Sequence, residues 1–532
     1  MNIPGPAYSD GIKTGKQMKF AGLNHNDGAG DGELYRMKNL CSDWYPLLAT
    51  RQKRLKFKTL TKGNGLFAWE KLCWVDGTGF YYNGVLKGTV ADSRKHFAAI
   101  GSMIIIAPDM KYYNILTDSF GSLGAEVTHA VSFQDGTIYG ESAEANTIKA
   151  AGVNWGDTFR EGDAVTITGC TQTGNNISVI IREISGDEMH FNENSFTNGS
   201  ETAATLARKV PELDGMMENE NRLWGFKGTT LYASKLGDPF NFYVYDGLDT
   251  DSYTADSGSS GDYNGCTSYL GYPTFLKERR IYKVYGSIPS NFEILGSATL
   301  GLAKGSSKSL AVAGEALLYL NRNGMCIFTG GLPQVINRAF GTERYRNAVA
   351  GSDGVKYYVS MQDMKDAWHF FVYDTQKGMW HEEDDTQVLD FANSEGNLYF
   401  LNAKGEIWIT GTVTNAPAGC TEEADFEWCA EFGDFTDESP NKKDIRKLLI
   451  RMELDEEAYC NVWLQLDSDG DWYQPQDGKL EDETKRSYFL AIVPRRADHY
   501  RLKLEGKGGC RVYGIAREFS EGSEFKSLPG RQ

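Results

Sequence analysis

The chain has 532 residues, 55 basic and 72 acidic side chains, and a formal net charge of −17. With 41% hydrophobic and 24% charged residues it is globular in composition, which excludes collagen-like, coiled-coil and largely disordered chains. The acidic balance argues against a general DNA-coating role, because duplex binding depends on neutralising phosphates. Its 59 glycines, 14 prolines and 12% aromatics fit many short strands joined by tight turns.

The opening residues, Met1-Asn2-Ile3-Pro4-Gly5-Pro6, lack a basic stretch followed by an apolar one, so no signal peptide is expected. Residues 1–60 read as an N-terminal arm with the first strands. The densest basic run of the chain lies here, Arg51-Gln52-Lys53-Arg54-Leu55-Lys56-Phe57-Lys58. Its alternation fits an edge strand whose charges discourage pairing. Arg51, Lys53, Arg54 and Lys56 are also the candidate contacts for phosphate or an acidic partner.

From residue 61 a loose repeat sets in: a strand, a turn with Gly, Asn or Asp, a second strand rich in Tyr or Trp, and another turn. Its copies run 66–88, 96–115, 220–234, 272–286, 309–331, 348–380 and 389–411. Leu317, Tyr358 and Leu398 fall at equivalent points, about 40 residues apart, which is the spacing of β-propeller blades with four strands each. Seven blades are expected, six or eight being compatible with shared end strands. The blades occupy 61–129 and 211–414. The most apolar stretch, Ala98 to Pro108, is about half the ~20 residues a membrane helix needs and reads as a buried strand.

Between 130 and 210 the rhythm breaks. Alternation in Ala164–Thr168 and Ile177–Ile184, and a Gly186-Asp187 turn, predict a small β-barrel inserted between two blades, with Val165, Ile167, Val179, Ile181 and Phe191 in its core. Residues 415–440 read as an acidic linker. Residues 441–532 alternate through Val462, Leu464 and Leu466 and again through Tyr500, Leu502 and Leu504, as in an antiparallel β-sandwich followed by a tail. The whole is an all-β chain, with helix far below the usual third.

Catalytic chemistry is not expected. The seven histidines form no H-E-x-x-H motif, and none lies three or four residues from another. The nine cysteines form no C-x-x-C pair and are odd in number, which points to free thiols in a reducing compartment. Asp467-Ser468-Asp469-Gly470-Asp471 starts like a calcium loop. Trp472 and Gly478 then stand where the loop needs Gly and Glu, so a β-turn is expected instead. No nucleophile elbow and no phosphate-binding Walker pattern occurs. No cofactor, metal or catalytic residue is assigned.

Several segments together resemble one family. They are Leu34–Leu40 with Asp43–Leu48 and the basic Arg51–Arg54, then Leu223–Phe242, Tyr263–Gly286, the 309–331 repeat followed by Pro333-Gln334-Val335-Ile336, and Val372–His381. This arrangement resembles the β-propeller tail hub, nozzle or packaged-DNA-stabilisation proteins of tailed bacteriophages. Pro494-Arg495-Arg496 and Gly522-Ser523-Glu524 in the C-terminal region are similar to phage virion modules too. The resemblance implies a structural virion protein that is not an enzyme. It implies an oligomeric ring, a hexamer, below the portal and adaptor, touching the head–tail adaptor and other tail proteins. DNA would pass through the channel without sequence-specific binding, and the ring would help retain packaged genome. Assembly in the host cytoplasm, a place in the virion tail and no membrane span go with it. A propeller enzyme acting on glycans and a receptor-binding propeller are the alternative classes.

Overall fold

In the computed structural model, residues 11–521 are described, apart from 27, 137–145, 193–195, 414, 438–441 and 494. Strands dominate, and the only helices among the described residues are single turns of 3-10 helix. The chain is a β-propeller protein with seven blade sheets among the described residues, a closed inserted barrel and a two-sheet C-terminal sandwich. It divides into two units, 61–307 and 1–60 with 308–532.

The first unit holds four four-stranded antiparallel blades, at 63–89, 96–122, 215–256 and 265–298. Their turns follow from local chemistry. Asn83 and Gly84, at φ +49° and +83°, make a two-residue hairpin loop between Tyr82 and Val85, where the left-handed region suits Asn and Gly. Blade faces bury against their neighbours. Cys73, Val75 and Phe80 of the first blade meet Ile104, Ile106 and Tyr113 of the second. Trp224 and Phe226 of the third meet Phe275 and Tyr282 of the fourth. Gly88 is required at one such contact, since a Cβ there would stand 2.3 Å from the Phe120 ring. Each fully buried Phe, Leu or Ile stabilises by about 1.5–3 kcal/mol, so the apolar stripes hold the blades together.

The barrel closes in the strand order 125–134, 146–149, 188–191, 178–185, 164–168, 199–208. It therefore starts five residues before the expected boundary. Its core is local: Val131, Phe133, Ile148, Trp155, Val165, Ile167, Val179, Ile181, Phe191 and Leu206 are among the residues it buries. A buried polar joint fastens it to the blades. Arg208 pairs with Asp163 and donates to the Leu123 carbonyl, 2.8 Å, while Asn241 Nδ2 donates to Asp163, 3.0 Å.

The second unit holds three blades. Two are built from 311–335 and 345–384. The third combines 388–394, 397–402 and 406–410 with a strand from near the start of the chain, Leu55–Thr59, which is followed in the sheet by Thr421–Glu422. The basic run was expected at an edge. Its second half is instead interior, paired with 406–409 on one side and 421–422 on the other.

The sandwich also draws on distant sequence. One sheet contains 12–17, 40–41, 48–50, 443–454, 487–491, 496–497 and 510–521. The other runs 34–38, 427–432, 500–507, 459–466, 479–480. The N-terminal arm thus supplies strands to both sheets. The stretch expected as an acidic linker contains a full strand, Glu427–Phe432, whose Trp428, Ala430 and Phe432 are buried. The expected Pro494 and Gly522-Ser523-Glu524 features lie outside the described residues. Among the described residues no helix is long and apolar enough to cross a membrane.

Candidate functional site

The four candidate contact residues lie together in the second unit, each against carboxylates of its own chain. Arg51 forks onto Glu423 through both terminal nitrogens, at 2.7 and 3.0 Å, and its Nε donates to Asn39 Oδ1 at 2.8 Å. Arg54 splits its fork between Glu383 and Asp384, both at 2.6 Å. Both guanidinium groups also stack, Arg51 on Phe426 at 4.1 Å and Arg54 on Phe370 at 4.8 Å. Such planar bidentate pairing is what Arg, unlike Lys, does well. Lys53 pairs with Asp425 at 2.7 Å and Lys56 with Glu406 at 2.5 Å.

Burial of the two arginines is near complete, at 6% and 4% exposed, so their charges persist only through these partners. Burial works against the Arg54 charge, but Asp384, Glu383 and Glu423 outweigh it and raise its pKa. Burial likewise works against the Asp384 and Glu423 charges, and the arginines hold both carboxyls below their ordinary range. Lys56 and its neighbours bring the Glu406 carboxyl down to about 2 despite partial burial. A phosphate would have to displace these carboxylates. The cluster is a staple joining the start of the chain to the sixth blade and to the segment before the sandwich.

Beside the staple lies an open cleft of about 690 Å³, whose lining includes Trp44, Lys53, Asp425, Glu453, Asp455 and Arg511. Arg511 covers the Trp44 ring at 3.7 Å and also faces Glu453 at 3.6 Å. Lys53 with Asp425 and Arg511 with Glu453 are thus paired within the lining. A second, much smaller space of about 20 Å³ is lined by Cys41, Asp43, Lys356, Tyr358, His381 and Glu383 among others. It has room for one water. Burial, helped by the Lys356 charge, lowers the His381 pKa to about 3, so the ring is neutral. Its Nδ1 is buried without a hydrogen-bond partner.

His369 bridges Glu382 and Asp363, His25 meets Glu343, and His129 packs on Trp155. All nine cysteines are free, and burial lifts the Cys41 thiol to about 12, far from a reactive thiolate. The Asp467–Asp471 stretch forms the expected turn, with Asp467 and Ser468 both at φ +50°. It brings Asp467, Asp498 and His499 close enough together to share an ion, but all three already bond within the group or to Ser468, and both aspartates are exposed.

Sequence reasoning found the cations and missed the anions. Glu382–Asp385 and Glu422–Asp425 are plain acidic runs, and nothing in their local pattern says that each faces an arginine more than 300 residues away.

No family model matches the chain, and no curated protein does. Solved structures resemble it weakly. The structure of U3-55K aligns at 8% identity and a TM-score of 0.35, covering 68% of this chain and 98% of the other. The RRP9 WD40 repeats give 8% identity and 0.35, over 68% and 99%. BamB from Moraxella catarrhalis gives 10% identity and 0.26, over 69% and 99%.

Proposed function

We propose that this chain is a structural subunit of a tailed-bacteriophage tail, one copy in a ring of the hub or nozzle below the portal and adaptor, through which DNA leaves and by which packaged genome is retained. The reading rests on the sequence resemblance set out above, and one structural observation supports it: the buried cluster of Arg51 and Arg54 with Glu383, Asp384 and Glu423 is consumed in holding the chain together. Arg51 and Arg54 serve a scaffold, with no catalytic or cofactor role. The negative net charge suits a lumen that repels DNA and lets it slide. In this reading the protein works without a metal or cofactor, assembles in the host cytoplasm and meets the adaptor and other tail proteins.

The test is the purified full-length protein by negative-stain microscopy and mass photometry, with a glycan panel run on the same preparation. Closed rings without glycan hydrolysis are expected. A protein that is monomeric at all concentrations and hydrolyses glycans after repurification would replace this reading by a propeller enzyme.

A further inference from the structure

Within each blade of unit 61–307 the chain runs up, down, up, down, so the first and third hairpin turns share one end. Contacts between neighbours keep these ends together: Trp69 Nε1 donates to the Gly101 carbonyl at 3.0 Å, and Asn219 Nδ2 donates to Ser268 at 2.8 Å. The large apolar side chains exposed by this unit gather at that end. Trp69, Leu86, Leu116, Tyr245, Leu248 and Leu270 are 39%, 54%, 82%, 57%, 58% and 56% exposed. Leu270 is the most telling. It occupies a hairpin turn at φ +53°, a conformation that costs an L-residue about 1–2 kcal/mol, yet more than half of its side chain stays exposed in the isolated chain. The exposed charges at this end are mostly acidic, Glu70, Glu220, Asp246, Asp249 and Glu293 against Lys71 and the half-buried Lys235, while Lys87 is taken by Asp118.

The C-terminal sandwich carries a surface of the opposite kind. Among the described residues Ser487–Ala491 is the last strand of its sheet, with one edge unpaired. Phe489 and Val493 beside it are 64% and 78% exposed. Around them stand Arg446, Lys447, Arg451 and Arg495, all exposed, with Lys447 and Arg451 opposite Ala491 and Ser487 in register. Glu518, 3.4 Å from Lys447, and Glu453, 3.0 Å from Arg486, are carboxylates paired there, and the exposed Glu481, Asp482 and Glu483 lie before Ser487, at the far end of the strand from Val493 and Arg495. A lone edge strand needs cations to discourage pairing, but it does not need an exposed Phe and Val.

We infer that these two surfaces are the two halves of one contact between copies of this chain: the apolar, acid-rimmed blade end of one copy receives the apolar, base-rimmed sandwich edge of a second copy. Neither surface suits its own twin, because like charges would face each other, whereas each matches the other. A contact of unlike patches is heterologous and propagates until it closes. The inference deepens the ring reading, and rests on it only for closure.

The experiment uses full-length protein and two double reversals, Lys447→Glu with Arg451→Glu on the sandwich, and Asp246→Lys with Asp249→Lys on the blade end. Each variant alone should be monomeric by mass photometry, its self-association weakened at least tenfold, with a melting temperature like that of the parent. Mixed, the two should re-form the larger assembly with the variants alternating, because intact half matches intact half and reversed half matches reversed half. All four substitutions in one chain should restore the larger assembly. If the parent forms rings that both reversals leave unchanged, this contact is wrong and the ring reading stands. If the parent is monomeric throughout, both fail. If each variant alone still forms dimers, the contact is isologous and the inference is overturned.

Discussion

The inserted barrel and the C-terminal sandwich are both small antiparallel structures, yet they are stabilised in opposite ways. Every residue of the barrel core lies between 131 and 206. The sandwich takes strands from 12–50 and from 427–521, and it is joined to the blades by Arg51 and Arg54, whose carboxylate partners lie at 383, 384 and 423. The first is a local apolar core with one polar joint. The second is a long-range assembly whose chain ends are tied down by buried charge. Insertion explains the difference: an element that enters and leaves at one place must carry its own core, whereas terminal strands can be recruited from anywhere.

The largest expected effect is on deletion. Removing residues 1–50 should leave both sandwich sheets short of strands, and the 308–532 part should become protease-sensitive and lose its cooperative melt. Replacing 125–208 by a short Gly-Ser linker should instead give a soluble protein with a single sharp calorimetric transition, since blade faces are buried by neighbouring blades. Insolubility of that variant would mean that the joint of Arg208, Asp163 and Asn241 belongs to the propeller core.

Next come single core changes. Trp155, wholly buried and donating through Nε1 to the Asp187 carbonyl at 2.9 Å, should cost about 3–5 kcal/mol on replacement by Ala. Hydrogen exchange should localise the loss to the barrel, leaving protection in 443–454 and 510–521 unchanged. Arg54→Ala should cost a similar ~3–5 kcal/mol by stranding Glu383 and Asp384. Its lost protection should spread over the staple, the seventh blade and the strand 55–59. Lys53→Ala, at a partly exposed pair, should stay within about 1 kcal/mol, and a larger change would show that the cleft beside it is structurally tighter than its openness suggests.

Acid offers a finer separation. Asp384 and Glu423 have folded pKa values below 3.8 and 4.5, so their stabilisation is present above those values and fades as pH falls through the lowered ones. His381, neutral down to about 3 against an ordinary 6.5, acts in the same sense, because the unfolded chain takes up a proton in that interval and the folded chain does not. Hydrogen exchange along a pH series from 7 to 3.5 should show a first transition in which protection is lost in 308–532, before it is lost in the barrel. His381→Gln should flatten the pH dependence of that first transition.

The same contrast decides what could be read from sequence. Blade rhythm and barrel core were legible because strand alternation and turn chemistry are local: Val165, Ile167, Val179, Ile181 and Phe191 all pack where the pattern puts them. Leu317, Tyr358 and Leu398 each occupy the second strand of their blade. The roles of 12–17, 34–38 and 427–432 were not legible, since a short strand carries no mark of its partner and the pairings here span hundreds of residues. Lys56 and Phe57 show the limit well. Their alternation predicted a strand correctly, but whether that strand is edge or interior depends on Thr421 and Glu422 arriving later.

The strand Leu55–Thr59 has a further consequence, for timing. It is made before any blade, yet its partners at 406–410 emerge roughly 350 residues later, a delay of about 20–70 s at 5–20 residues per second. Through that interval a strand carrying Lys56, Phe57 and Lys58 waits unpaired while the four blades and barrel of 61–307 can already fold behind it. Its charges then serve solubility on the ribosome before Lys56 and its neighbour Arg54 find Glu406, Glu383 and Asp384. Completion of the seventh blade becomes a late checkpoint, passed only by a chain synthesised beyond Glu422.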